Sequence, residues 1–170
     1  PLYAILVWHY HSQARVYRDA LTTVFCQPNV AGVSFSRVQD DGDRTGSQAG
    51  TFYADGAPKP SLYAVREAAS AVRRGVIARC PGMQLTPKVT ITIARAFPHG
   101  LKVMFTCSLD CAYTLTLDGR GARGRATGGV KTTVRFPTLP RSGTHTATVR
   151  STATVNVGPQ GSSTRTLRLP

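Results

Sequence analysis

Pro1-Leu-Tyr-Ala-Ile-Leu-Val-Trp8 is a continuous apolar run rather than an alternating one. Such a run suits a strand covered on both faces, as in a parallel sheet. Behind it, Ser12 is placed to cap a helix, and Val16, Tyr17, Ala20, Leu21, Val24 and Phe25 recur at helical spacing, with Arg15, Arg18 and Asp19 off that stripe. Pro28 ends the pattern, and Val30-Ala-Gly-Val-Ser-Phe35 reads as a second buried strand. A polar loop of about twenty residues follows, from Ser36 to Ala57; a loop of that length in a compact domain is usually functional. Pro60 then restricts the chain and Ser61 is placed to cap. Leu62, Val65, Ala69, Val72 and Val76 make the next helical stripe, Arg73 and Arg74 complement the helix dipole, and Gly75 closes it. The order is strand, helix, strand, helix, as in an α/β fold.

From Leu85 the period changes to two. Val89–Ile93, Leu101–Phe105, Tyr113–Leu117, Val130–Phe136, Thr146–Arg150 and Thr166–Leu169 are short, Thr-rich strand patterns. Turn signals separate them at Pro98-His-Gly100, Asp118-Gly119, Gly128-Gly129 and Arg141-Ser-Gly143. Six or seven short strands in this spacing predict an immunoglobulin-like β-sandwich. The antibody Cys…Trp…Cys pattern is missing, because the only tryptophan is Trp8. The domains expected are therefore 1–79 and 80–170.

Charge sharpens the division. The net charge is +13. Residues 1–79 hold nine Lys/Arg against six Asp/Glu, and residues 80–170 hold twelve against two. The basic second half favours polyanions, although its arginines are spread rather than blocked, as on a solvated surface. Pro1 in place of Met marks an excerpt or a processed fragment, and Pro1 to Trp8 is too short for a transmembrane helix or signal peptide. Four cysteines allow three pairings. Cys107 and Cys111 flank a three-residue link that a hairpin closes, Cys26 ends the first helical pattern and Cys80 follows the second, so Cys26–Cys80 and Cys107–Cys111 are the expected bonds. Two disulfides imply export to an oxidising compartment, hence a secreted or extracellular protein. Cys-x3-Cys lacks the second Cys/His pair of a structural metal site.

The stretch Gln48 to Ser70 contains Asp55-Gly56 and Pro58-Lys59-Pro60-Ser61 ahead of a helix. It resembles the last strand-to-helix crossing of secreted, cellulase-like (β/α)8 glycoside hydrolases, with the form Gln-x-Gly-Leu-x-x-x-Asp-Gly-x-Pro-Lys-Pro-Ser/Ala-Tyr. Phe25-Cys26-Gln27-Pro28-Asn29-Val30-Ala31-Gly32-Val33 is similar to the segment entering strand eight. Phe105-Thr-Cys107, Asp110-Cys111-Ala-Tyr113 and Gly143-Thr-His-Thr146 resemble the Ig-like modules that follow such barrels. The fold class implied is α/β plus all-β: the last βα units of an incomplete TIM-type barrel, then an Ig-like sandwich. Retaining glycosidases use two carboxylates about 5 Å apart. The only glutamate is Glu67, inside the second helix, and no carboxylate lies near Leu6 or Trp8, so a catalytic pair is missing from this chain.

The resemblance puts His9 and His11 at a barrel-strand end, and Phe35, Arg37, Gln39, Asp41 and Gln48 near the mouth of a cleft, where each would contact sugar. For His9 and His11, strand-end packing and zinc are the other readings, and zinc lacks a third ligand. Asp40, Asp41 and Asp43 resemble part of a calcium loop but lack its distal Glu, which favours a solvated loop. Gly119-Arg-Gly-Ala-Arg-Gly-Arg125 reads as a basic, flexible hairpin link that can touch phosphate but lacks the aromatics of a single-strand nucleic-acid binder. No specific nucleic acid, cofactor or metal is implied. Two functions follow. One is the C-terminal part of a glycoside-hydrolase-like protein, itself without the catalytic pair. The other is a non-catalytic module holding carbohydrate or an anionic polymer through its basic β-domain, with the sandwich as spacer.

Overall fold

A computed structural model describes residues 2–97, 100–137 and 142–169, with backbone alone for 2–12, 93 and 169. Pro98, His99 and Arg141, part of two expected turns, lie outside the described residues. The chain divides into two compact units, Pro1–Val72 and Arg73–Pro170, called here the helical and β units. All four cysteines are disulfide-bonded, and Cys107 is joined to Cys111 as expected.

The helical unit overturns the barrel expectation. α1 runs Leu2–Phe25 and α2 runs Pro60–Arg73. Among the described residues no strand forms at 2–8 or 30–35. A short apolar run is ambiguous between a strand and a buried helix, and no Gly or Pro between Leu2 and Phe25 interrupts the helix. Ser12 is therefore helix interior rather than a cap. Val30 and Val33 are each 41% exposed, which no buried strand would be. Between the helices only isolated bridges occur, Gln39 with Phe52 and Phe52 with Pro58. These are not βα units, and the resemblance to a partial glycoside-hydrolase barrel does not hold.

Pro60 occupies the first helical position, where its missing N–H is not needed. Ser61, expected as the cap, is fully buried inside the helix with its hydroxyl unpartnered among the described residues. Gly75, at φ +72°, takes the left-handed conformation that closes α2.

The described residues of the β unit form seven antiparallel strands: β1 Val89–Phe97, β2 Gly100–Cys107, β3 Cys111–Leu117, β4 Arg120–Ala126, β5 Lys131–Phe136, β6 Gly143–Ala153 and β7 Gly161–Leu169. One sheet has the order β1-β2-β5 and the other β4-β3-β6-β7. Alternation puts Val103, Phe105, Leu115, Leu117 and Val149 inside at 0% exposure, in one core drawn from both sheets. The Phe105 ring meets Tyr113 edge-on, centroids 4.9 Å apart. The expected fold class is corrected at its barrel half: the described residues are predominantly β, in two antiparallel sheets, with no barrel units among them.

Two local expectations also change. Arg120–Ala126 is a strand rather than a flexible link, joined to β3 through Asp118 and Gly119, at φ +49° and +80°, as a tight hairpin requires. Ser108-Leu109-Asp110 is not a hairpin turn, because β2 and β3 belong to different sheets. It is an arch between them, with Cys107 and Cys111 fully buried and their Cα atoms 6.6 Å apart. On the opposite edge Arg165 of β7 donates from Nη1 to the carbonyls of Ile91 and Thr92 on β1, at 3.3 and 2.9 Å.

Candidate functional site

In the helical unit, the loop before α2 is organised by its own carboxylates. Asp41 pairs with Arg37 and accepts the Ser47 N–H at 2.8 Å; that N–H, with Arg37 after it, outweighs desolvation and holds the Asp41 carboxyl below the usual range. Asp43 accepts the Thr45 hydroxyl and N–H, which lower its pKa too. Asp40 turns inward. Its Oδ2 meets Lys59 Nζ at 2.5 Å with both side chains 3% exposed or less, and its Oδ1 accepts the Gly50 N–H at 2.9 Å. Lys59 Nζ also donates to the Gln48 carbonyl at 3.0 Å and lies 5.4 Å from the Tyr53 ring centroid. The three aspartates thus point at three different partners rather than at one ion. Among the described residues no three His, Cys, Asp or Glu are grouped to hold a metal.

The residues expected at a sugar cleft fall within this loop and the helix beside it. Phe35 packs on Tyr17, ring centroids 4.8 Å apart. Gln39 donates to the Ala54 carbonyl at 2.6 Å, and Gln48 donates to the carbonyls of Asp41 and Asp43. Arg37, Gln39, Asp41 and Gln48 therefore share one loop, with their polar groups engaged inside it. His9 and His11 lie in α1 rather than at a strand end. Glu67 is exposed on α2, 3.7 Å from Arg18.

The β unit presents different chemistry. Arg73 to Pro170 holds fifteen Lys/Arg against Asp110 and Asp118. Both carboxylates serve the fold. Asp110 Oδ1 accepts the Gly128 N–H at 2.7 Å. Asp118 accepts the Thr146 N–H at 2.8 Å and meets Nδ1 of buried His145 at 2.5 Å, while His145 Nε2 faces the Ser142 carbonyl at 3.2 Å. The cations stand outside. Register puts Arg123 of β4, Thr114 of β3, Arg150 of β6 and Ser162 of β7 in one outward row, with Arg125 in the next. Hydroxyls fill the rows beyond, with Thr148 and Thr164 Oγ1 atoms 3.1 Å apart. On the other sheet Arg95, Lys102 and Arg135 share a row. No carboxylate lies within any of the seven strands.

No protein-family profile and no curated protein matches this chain.

The basic balance of the β unit is legible in the sequence, but the rows in which its cations line up are not, because strand register assembles them. Asp118 was read only as a turn residue, and its bond to His145 depends on β6 running beside the β3–β4 turn. Burial acts to raise the Asp118 pKa, but the His145 hydrogen bond, the Thr146 N–H and the His145 charge together hold it below the usual value. A carboxyl with a depressed folded pKa stabilises above its unfolded pKa of about 3.9, and this is lost as pH falls through the folded value. Melting curves of the chain from pH 5 downward are expected to show Tm falling below about pH 4, with a shallower fall in Asp118→Asn. An unchanged acid limb in that variant would remove Asp118 from this account.

Proposed function

We propose that the β unit is a non-catalytic module that holds an anionic polymer at a surface outside the reducing cytosol. The observation that carries this reading is the segregation of charge: cations on the outer faces of both sheets, and the unit's two carboxylates turned into backbone and His145 contacts. Several cations facing one way attract a polyanion at long range and release its counterions on contact. The outer rows around Arg123 and Arg150 carry hydroxyls rather than aromatic rings, which favours a charged polymer over a neutral glycan that would stack. Two disulfides are compatible with an extracellular location. Among the described residues no helix is long and apolar enough to cross a membrane. The hydrolase expectation rested on the barrel resemblance and is not carried forward.

The full chain is expected to bind dextran sulfate and to ignore uncharged dextran. With three to four ionic contacts, affinity should fall on the order of 40- to 150-fold between roughly 50 and 200 mM salt. Equal retention on both polymers, or retention insensitive to salt, would refute the proposal.

A further inference from the structure

Register on the three-stranded sheet sets Arg95 of β1 directly opposite Lys102 of β2, and Lys102 directly opposite Arg135 of β5. The neighbouring row, Ala94-Val103-Val134, packs into the core, so the three cations point away from it. Arg95 and Arg135 are exposed and Lys102 between them is half-buried. With strands about 4.8 Å apart, the three side chains start from a line about 10 Å long. Like charges directly opposite one another destabilise a sheet, and this row contains two such juxtapositions. None of the three makes a hydrogen bond or ion pair among the described residues. β1, β2 and β5 contain no Asp or Glu to relieve them. The adjacent outward pairs, Met104 with Thr133 and Thr106 with Lys131, show that the sheet forms without such a row. Arg135 is also positioned: its guanidinium lies over the Phe97 ring, 6.0 Å from the centroid.

We infer that the row Arg95–Lys102–Arg135 is a binding site for a tetrahedral oxyanion, the sulfate or phosphate ester group of a linear polyanion. This rests on the reading of the β unit as a polymer-holding module and names the chemistry that it takes. A guanidinium offers a fork of parallel N–H donors to two oxygens of one anion, and an ammonium adds a compact third charge. Two forks flanking an ammonium supply more donors than the two oxygens of a carboxylate use. A tetrahedral group presents three oxygens outward from its ester bond and matches all three side chains. Binding would also neutralise the repulsion in the row, so ligand affinity and sheet stability are linked at the same residues.

The test uses the full chain, titrated calorimetrically with dextran sulfate, uncharged dextran and inorganic sulfate. The Arg95→Gln/Arg135→Gln double variant is compared with Arg123→Gln/Arg125→Gln, which removes the same charge from the other sheet. The first is expected to lose dextran sulfate affinity by about tenfold or more and to lower the salt slope by about two, while the second loses less than about threefold. Lys102→Gln is expected to raise Tm without ligand and to shrink the Tm rise that dextran sulfate produces in the native chain. This single variant relieves a repulsion and answers the question even where the double variant fails to fold. Equal losses from the two doubles would overturn the row and leave a diffuse electrostatic surface. A lower Tm in Lys102→Gln, with the ligand-induced rise intact, would overturn it too. Inorganic sulfate bound as tightly per group as dextran sulfate would overturn the polymer ester as the source. Absence of any dextran sulfate binding by the native chain would instead remove the module reading itself.

Discussion

Lys59→Ala is expected to destabilise the helical unit by about 3–5 kcal/mol, because it leaves a buried carboxylate without its cation. Lys59 is 1% exposed, and its ammonium joins Asp40, the Gln48 carbonyl and the face of Tyr53. Asp40 in turn holds the Gly50 N–H. The same loop backbone receives α1, through Gln13 to the carbonyls of Gln48 and Gly50 and through the Tyr17 hydroxyl to Ala49. The described apolar residues buried in this unit are Leu21, Ala64 and Ala68. Replacing both charged partners is a different experiment from removing one. Asp40→Asn combined with Lys59→Met is expected to cost less than the sum of the single changes, since neither group then remains as a lone buried ion. Denaturant unfolding followed by the helical circular dichroism signal reads the loss. A loss below about 1 kcal/mol in Lys59→Ala would mean that the pair behaves like a surface salt bridge.

Phe105→Ala is expected to destabilise the β unit by about 3–5 kcal/mol, the range for deleting a buried aromatic ring. Phe105 is fully buried on β2 and reaches across to Tyr113 on β3, in the other sheet. The gap would lie between two sheets whose inner residues are already at 0% exposure and have little freedom to collapse into it. Val157→Ala, at a residue 61% exposed, is expected to stay within about 0.5 kcal/mol. Thermal unfolding followed by the β-sheet circular dichroism compares the two. Similar losses in both variants would contradict the placement of the core.

The strands of the β unit were legible in sequence because Thr and Val alternate with a period of two and Gly pairs punctuate them. β4 was not legible. Its Arg-Gly-Ala-Arg-Gly-Arg-Ala sequence has poor strand propensity and forms a strand only by leaning on β3. As an edge, its charges also discourage pairing with another chain. The N-terminal error has the same physical origin from the opposite side. Leu2 to Trp8 reads as strand or as helix with equal ease, because a continuous apolar run suits a strand covered on both faces as well as it suits a helix. The barrel-like phrase around Pro58-Lys59-Pro60 is helix-start chemistry that any fold can use. The Asp40–Lys59 pair and the Arg95–Lys102–Arg135 row depend on contacts between distant segments, which composition and local periodicity do not encode. The Cys107–Cys111 bond is legible too, because a short link between two strand patterns constrains geometry that spacing does encode.

The clasp from Arg165 to the carbonyls of Ile91 and Thr92 joins the unit's last strand to its first. Sequence-local hairpins such as β3–β4 can close early, but this edge forms only between residues at the two extremes of the unit, a contact with a large loop-closure entropy. During synthesis, β1 would leave the ribosome with its outer edge unsealed while every later strand is made. Closure of the sandwich therefore waits for β7 to emerge: β1 pairs with β2 alone throughout, and the Arg165 bonds reach it only at the end.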